Sequence, residues 1–465
     1  MKKLVVGPTF EEMLHPEKIP EKIRTKALKM KKEDPLDPIN LFNISWKNEK
    51  NEIYYFVVPK ALTGVKANIV MLYSKDFPTG SHKVGASYAS LVDEELFKDV
   101  EPGKHRIVWP STGNYGIGGS WVGCRMNFEC IVILPEMMSE ERFKKIESYG
   151  GKVIRTPGCE SNVKEIYDKS KELKAADPEN IRVINQFEAF GNYRFHYYVT
   201  GNTVVELADV LKKKGVGKGE ISAFVSSMGS AGTIAAADRI KQVFPKAKSI
   251  GSEPIQCPTV MINGYGGHDI QGIGDKHVTW IHNVMNMDAM VAVDDMESKL
   301  GLQLLTDPEG VKFLTANGIS KEDAKMMSGI LGISGVCNLY SAIKTAKYYD
   351  MDENDVVVTV ATDAIDRYGS VMEDLNRQFG ELNEKEVYYR FKHLFLGVKT
   401  DWFQEGTYLT RKRWHNLKYY TWVEQQGKTV EELNAQLKQD YWEGQQARVG
   451  ELNDLILRKR EEMGI

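Results

Sequence analysis

Lys83 follows a Pro-Thr-Gly turn in PTGSHKVGASYASL, residues 78–91, and precedes small residues at helical spacing. An amine at the mouth of a turn, backed by residues that suit close packing, can do imine chemistry if the chain also holds a carbonyl partner for it. Three more glycine-containing segments are candidates for holding one. PSTGNYGIGG, residues 110–119, offers Ser111, Thr112 and Asn114 among glycines such as Gly113 that let the backbone come close to a bound group. SSMGSAGTIAAA sets Gly229, Ser230, Ala231, Gly232 and Thr233 between an expected strand and an expected helix. Successive N–H groups at a helix start, with one hydroxyl, make a cradle for a phosphate. VTVATDAIDRYGS brings Thr362 and Asp363 to a loop at a strand end, the side of such sheets where ligands sit.

The usual nucleotide fingerprints are missing. No G-x-G-x-x-G opens the first helix, and no Walker A lysine is followed by Ser or Thr. A phosphate cradle without a nucleotide motif, plus one lysine at a distant turn, points to a small phosphorylated aldehyde held at both ends. Pyridoxal 5'-phosphate is such a cofactor.

These loops need a scaffold. ANIVMLYS, RIVWPS, ECIVILP, KVIRTP, IRVINQ, EISAFVSS, KSIGSEP and DVVVTVATD read as strands, and amphipathic helices alternate with them. Continuous apolar strands between helices indicate a largely parallel sheet covered on both faces, an α/β fold. We divide the chain into a lead-in over 1–54, a larger lobe from 55–84 and 196–375, a smaller substrate-side lobe over 85–195, and a helical extension over 376–465. In the extension, Thr429 and Glu432 stand at capping-box spacing and predict a helix start.

At these motifs the chain resembles the fold-type II pyridoxal-phosphate enzymes: cysteine synthase, cystathionine beta-synthase, threonine synthase and the tryptophan synthase beta chain. PTGSHK is similar to the cofactor-lysine segment, STGNYG to the substrate-carboxylate loop and GSAGT to the phosphate loop. NQFEAFGNYRFHYYVTG, HDIQGIGDKHV and GISGVCNLYSAIKTAK resemble further cysteine synthase segments, so the likeness spans about residues 55–375. It implies a tryptophan-synthase-beta-like fold of two three-layer lobes. It implies that Lys83 is the imine-forming lysine and catalytic base, and that Asn114 contacts the ring oxygen. Ser111, Thr112, Gly113 and Asn114, with Gln186 and Gln271, would bind the substrate, and Gly229, Ser230, Ala231, Gly232 and Thr233 the phosphate. The family's serine near the pyridine nitrogen is replaced by Ala364, so Thr362 or Asp363 is assigned to that end, or water meets the nitrogen. The implied reaction is beta-elimination or beta-replacement on a small amino acid, through an internal aldimine and an aminoacrylate. Two alternatives stay open: an ammonia-lyase on a diamino or hydroxy amino acid, and a non-catalytic structural or regulatory protein that kept the fold.

The bulk composition excludes other classes. The 465 residues are 42% hydrophobic and 27% charged with a formal charge of -3, which favours neither nucleic-acid binding nor disorder. No stretch approaches the roughly 18 apolar residues of a membrane helix, and the N-terminus lacks a signal-peptide pattern, so a cytoplasmic protein is expected. Five scattered cysteines form no Cys-x-x-Cys, and His268, His277 and His282 fit no short metal motif, so no metal is expected. The loop GYGGHDIQGIGDKH, with His268, Gln271 and Asp275, is a candidate to close over the substrate. A homodimer is expected. The aromatic, basic stretch 402–423 suggests subunit packing, a substrate-access wall or a protein partner on the extension.

Overall fold

Asn68–Tyr73 (NIVMLY) and Val356–Ala361 (VVVTVA) are buried almost throughout, as strands with helices on both faces must be. A computed structural model describes residues 5–111, 113–158 and 162–465. Its strands are β1 (Tyr55–Val57), β2 (Asn68–Tyr73), β3 (Arg106–Pro110), β4 (Glu129–Pro135), β5 (Lys152–Thr156), β6 (Ile181–Val183), β7 (Ala223–Ser227), β8 (Lys248–Pro254), β9 (Ala289–Val293), β10 (Val356–Ala361) and β11 (Phe403–Glu405).

They form two sheets. The larger runs β1–β2–β10–β7–β8–β9–β11 and the smaller β5–β4–β3–β6. All pairs in the smaller sheet are parallel. In the larger, β2 and β10 pair in parallel from Asn68 opposite Val356 to Tyr73 opposite Ala361. Only the edges β1 and β11 run antiparallel. The chain is thus α/β with parallel-rich sheets and a helical C-terminal region, as expected.

β11 is a strand within the extension that the sequence reading took as helical over 376–465. Three residues are too few to show alternation, and Phe403–Glu405 is a strand only because it docks on β9. The capping box at Thr429 is present: Thr429 Oγ1 accepts from Glu432 N, and Glu432 Oε2 accepts from Thr429 N. The last helix, Gln439–Met463, buries Trp442 in its first turn.

The two ends of the chain meet. The Arg460 guanidinium donates to both Glu12 carboxylate oxygens, at 2.9 and 2.6 Å. The lead-in also packs on the helix Lys83–Phe97, with Tyr88 Oη donating to Pro8 O at 2.8 Å and accepting from Gly7 N at 3.0 Å. No helix among the described residues is long and apolar enough to cross a membrane.

Candidate active site

The four segments singled out in the sequence follow the C-terminal ends of β2, β3, β7 and β10. Parallel pairing points those ends the same way, so residues far apart in the chain converge there. Asn338, on the helix Ile333–Tyr348, braces two of the ends: its Oδ1 accepts from Ser227 N at 2.6 Å, and its Nδ2 donates to Val360 O at 2.7 Å.

Lys83 opens the helix Lys83–Phe97, and its Nζ donates to Ser230 Oγ at 3.1 Å. The amine borders a cavity shared with Ser111, Gly113, Asn114, Gln186 and Asp275. Burial pulls its pKa down from 10.5 to about 8, against the opposing field of the Asp275 carboxylate. At neutral to mildly alkaline pH a useful share of Lys83 is therefore the free amine, the form that attacks carbonyls and accepts protons.

The 229–233 turn meets Lys83 from the other side. Ala231 adopts the left-handed region, φ +57°, and Gly232 returns to the right-handed one. That alternation turns successive N–H groups to one side, the backbone geometry of a nest. A Cβ on Gly232 would lie 2.0 Å from Asn192 Oδ1, so only glycine lets the turn pack here. Asn192 Nδ2 donates to Ser230 Oγ at 3.0 Å and to Gln186 O at 3.0 Å, while its buried Oδ1 has no hydrogen-bond partner among the described residues. His82, next to the lysine, turns away from the cavity: its Nε2 lies 3.1 Å from Thr233 Oγ1 and its ring stacks on Trp46. Burial, with help from the Lys83 charge, holds His82 well below the ordinary histidine pKa, so it is neutral. It positions the Thr233 hydroxyl.

The opposite end is built from charge. Asp363 and Arg142 are both 0% exposed, 3.9 Å apart. The Asp363 carboxylate accepts from Asn114 Nδ2 at 2.7 Å and from Tyr368 Oη at 2.9 Å. Asn114 Oδ1 accepts from Arg367, which also donates to Thr79 O. Gly113 is as constrained as Gly232, since a Cβ there would lie 1.9 Å from Arg142 Nη1. Ser111 Oγ accepts from Gly113 N and Gly116 N at 3.1 and 2.9 Å, capping the helix Asn114–Arg125.

The structure thus brings Lys83, Ser111, Gly113, Asn114, Gln186, Gly229 and Ser230 around one cavity. Thr362 and Asp363 do not line it: Thr362 O accepts from Ser74 Oγ, and Asp363 is committed to Asn114, Tyr368 and Arg142. Both amide atoms of Asn114 are likewise engaged within the protein. Gln271 lines a separate, larger cavity of about 840 Å³, with the adjoining Gly272 and Ile273 on the inner one. Thr112 lies outside the described residues. Sequence reasoning missed Asn192, Arg142, Arg367 and Tyr368. Arg367 and Tyr368 sit within the quoted TDAIDRY, but nothing local shows that their side chains point inward.

A model of the pyridoxal-phosphate dependent enzyme family matches residues 65–316. The chain belongs to that family. It is a pyridoxal-phosphate-dependent enzyme, as the motifs implied. It is 28% identical over 292 residues to a cysteine synthase of Staphylococcus aureus (strain Mu50 / ATCC 700699), covering 63% of this chain and 84% of that one. Among solved structures, a cysteine synthase from Entamoeba histolytica superposes with a TM-score of 0.60 at 19% identity, covering 73% of this chain and 92% of that chain. A hydrogen sulfide-producing enzyme from Fusobacterium nucleatum gives 0.57 at 24% identity, covering 73% and 90%. The shared fold is that of fold-type II enzymes. The N-terminal lead-in and the whole of the C-terminal extension lie outside the family match.

Proposed function

We propose that this enzyme eliminates or replaces a group on the β carbon of a small amino acid, with pyridoxal phosphate held between Lys83 and the 229–233 turn. The observation that carries this reading is the 3.1 Å approach of the Lys83 amine to Ser230 in the phosphate-type nest. The residues fit the cofactor: a depressed amine for its aldehyde, and a left-handed-to-right-handed turn with the Ser230 and Thr233 hydroxyls for its phosphate. When bound, pyridoxal phosphate acts as an electron sink that acidifies the α hydrogen of an attached amino acid and lets a group leave the β carbon.

The chain's own groups do the rest. Lys83 Nζ would hold the cofactor's aldehyde and serve as the base for the α proton. Ser111 and the backbone at Gly113, with Gln186, form the wall that receives the substrate carboxylate. Asn114, locked between Arg367 and Asp363, orients that wall. His82 stays neutral and aims Thr233 at the phosphate. The Asp363 carboxylate acts through Asn114 rather than by touching the ring. The two-lobe division and a homodimer belong to the same proposal, supported by the two sheets and by the likeness to cysteine synthase.

One observation favours a second substrate class. Asp275 places a carboxylate in the same cavity as Lys83. It would attract a second ammonium group, as in a diamino acid, and repel an anionic nucleophile such as hydrosulfide. Borohydride reduction of the holoenzyme, followed by peptide mapping, should place the pyridoxyl label on Lys83; label elsewhere overturns the reading. A panel of serine-type, sulfur and diamino acids, assayed for keto acid, ammonia and replacement product, then separates the two classes.

A further inference from the structure

The extension is wired into the phosphate cradle, at a cost the fold need not bear for packing alone. Lys418 is 0% exposed, and no carboxylate pairs with it among the described residues. Its Nζ donates to Trp280 O at 3.1 Å, to His282 O at 2.7 Å and to Gln436 Oε1 at 2.5 Å. The Trp280 and Trp442 rings flank it, with centroids 5.9 and 5.7 Å away. Three neutral acceptors match the three donors of an ammonium, yet burial without a counter-charge is expensive and holds the Lys418 pKa well below the ordinary lysine value. An apolar side chain would fill the volume more cheaply. What the lysine adds is a fixed position for the carbonyls it holds.

Those carbonyls belong to one short segment. Trp422 Nε1 donates to Val278 O at 2.8 Å, and Gln436 Nε2 donates to Trp280 O at 3.1 Å. The extension therefore grips the carbonyls of residues 278, 280 and 282. Thr279, between them, uses its hydroxyl on the other side, donating to Ser230 O at 2.9 Å. Trp280 N donates to Phe187 O at 2.9 Å, next to Gln186 of the cavity wall. The segment has the extension on one edge and the cradle and substrate wall on the other.

We propose that the C-terminal extension is a clamp on the phosphate cradle, with Lys418 as its positioning residue acting through Thr279 on Ser230. This rests on the reading that the 229–233 turn holds the cofactor phosphate. It assigns the extension a task inside the subunit: keeping the nest in shape for its anion.

The test is cofactor affinity in full-length protein, by titrating the cofactor-free chain with pyridoxal phosphate and following the phosphorus resonance alongside thermal unfolding. Lys418→Met and Thr279→Val should each raise the cofactor Kd about tenfold and broaden or shift the phosphate signal. Thr279→Ser, which keeps the hydroxyl, should stay near wild type. The double variant should bind no more weakly than either single one, because both break the same chain of contacts. Ile456→Ala, in the last helix, should lower the melting temperature without changing Kd. Additive losses in the double variant, or an equal Kd change in Ile456→Ala, would overturn the clamp. If Lys418→Met fails to fold, the Thr279 pair decides, and a Thr279→Val Kd within about twofold of wild type sinks the idea. Ser230→Ala and Thr233→Val separate the two levels. If they weaken binding while Lys418→Met and Thr279→Val do not, the cradle stands and the clamp falls; if none of the four does, the phosphate sits elsewhere.

Discussion

The two ends of the cavity are built from opposite materials. At the Lys83 end, hydroxyls, a neutral histidine and a glycine-bearing turn surround one amine, and the Asp275 carboxylate shares its cavity. At the Asn114 end, Asp363, Arg142, Arg367 and Tyr368 form a buried, charged knot whose members bond chiefly to one another. The first end keeps the Ser230 hydroxyl and the Lys83 amine on the cavity. The second spends its polar groups internally and is closed. Weak neutral contacts are exchanged cheaply for ligand contacts, whereas a buried charge network is costly to open. The hydroxyl end is therefore where the cofactor should be gripped, and the charged end is a rigid wall that fixes Asn114.

This contrast breaks most sharply at Lys83. Lys83→Ala should abolish the borohydride-trappable label and lower turnover by about 10²–10⁴-fold, read from product formation at saturating substrate. Asp363→Ala should cost about 3–5 kcal/mol in urea unfolding, because it strands the Arg142 charge in a dry site. Thr233→Val should do the reverse, weakening cofactor about tenfold in equilibrium titration with little change in unfolding. If Asp363→Ala instead leaves stability intact and weakens cofactor, the two ends have been assigned the wrong way round.

The amine itself gives a subtler effect. In cofactor-free protein, folded Lys83 releases its proton at about 8, against 10.5 for an unperturbed lysine. Between those values the unfolded chain binds more protons, so stability should rise with pH through that window relative to Lys83→Met. Below pH 8 both states are protonated and the burial penalty is felt in full. Parallel urea titrations of the two proteins from pH 7 to 10.5 check the slope. The smallest change is expected far from both ends: Thr429→Ala, removing a cap in the extension, should cost about 1 kcal/mol of stability.

Lys83, the 110–119 segment and the 229–233 turn were legible because their signals are local. A small-residue turn after an apolar run shows its purpose within a dozen residues, and the order of such turns did the rest. Asp363 was legible as a loop residue at a strand end, but the ligand contact assigned to it was not what its side chain makes. Its carboxylate is consumed by Asn114, 249 positions away. The loop containing Gln271 is a candidate in the sequence to close over the substrate, and its residues divide between two cavities. The strand β11 and the grip of Lys418 had no local signature: one is three residues long, and a lone lysine in an aromatic stretch looks like any surface lysine.

By itself the sequence determined the parallel α/β scaffold, the glycine turns at its strand ends and the family, because strand hydrophobicity, helix starts and glycine turns are short-range properties of the chain. Only the tertiary structure decided which polar groups face the cavity and which face each other. It also decided that the C-terminal residues reach back to the cradle. Those outcomes depend on partners hundreds of residues apart, and a buried amide or carboxylate is committed to whichever donor the fold sets beside it.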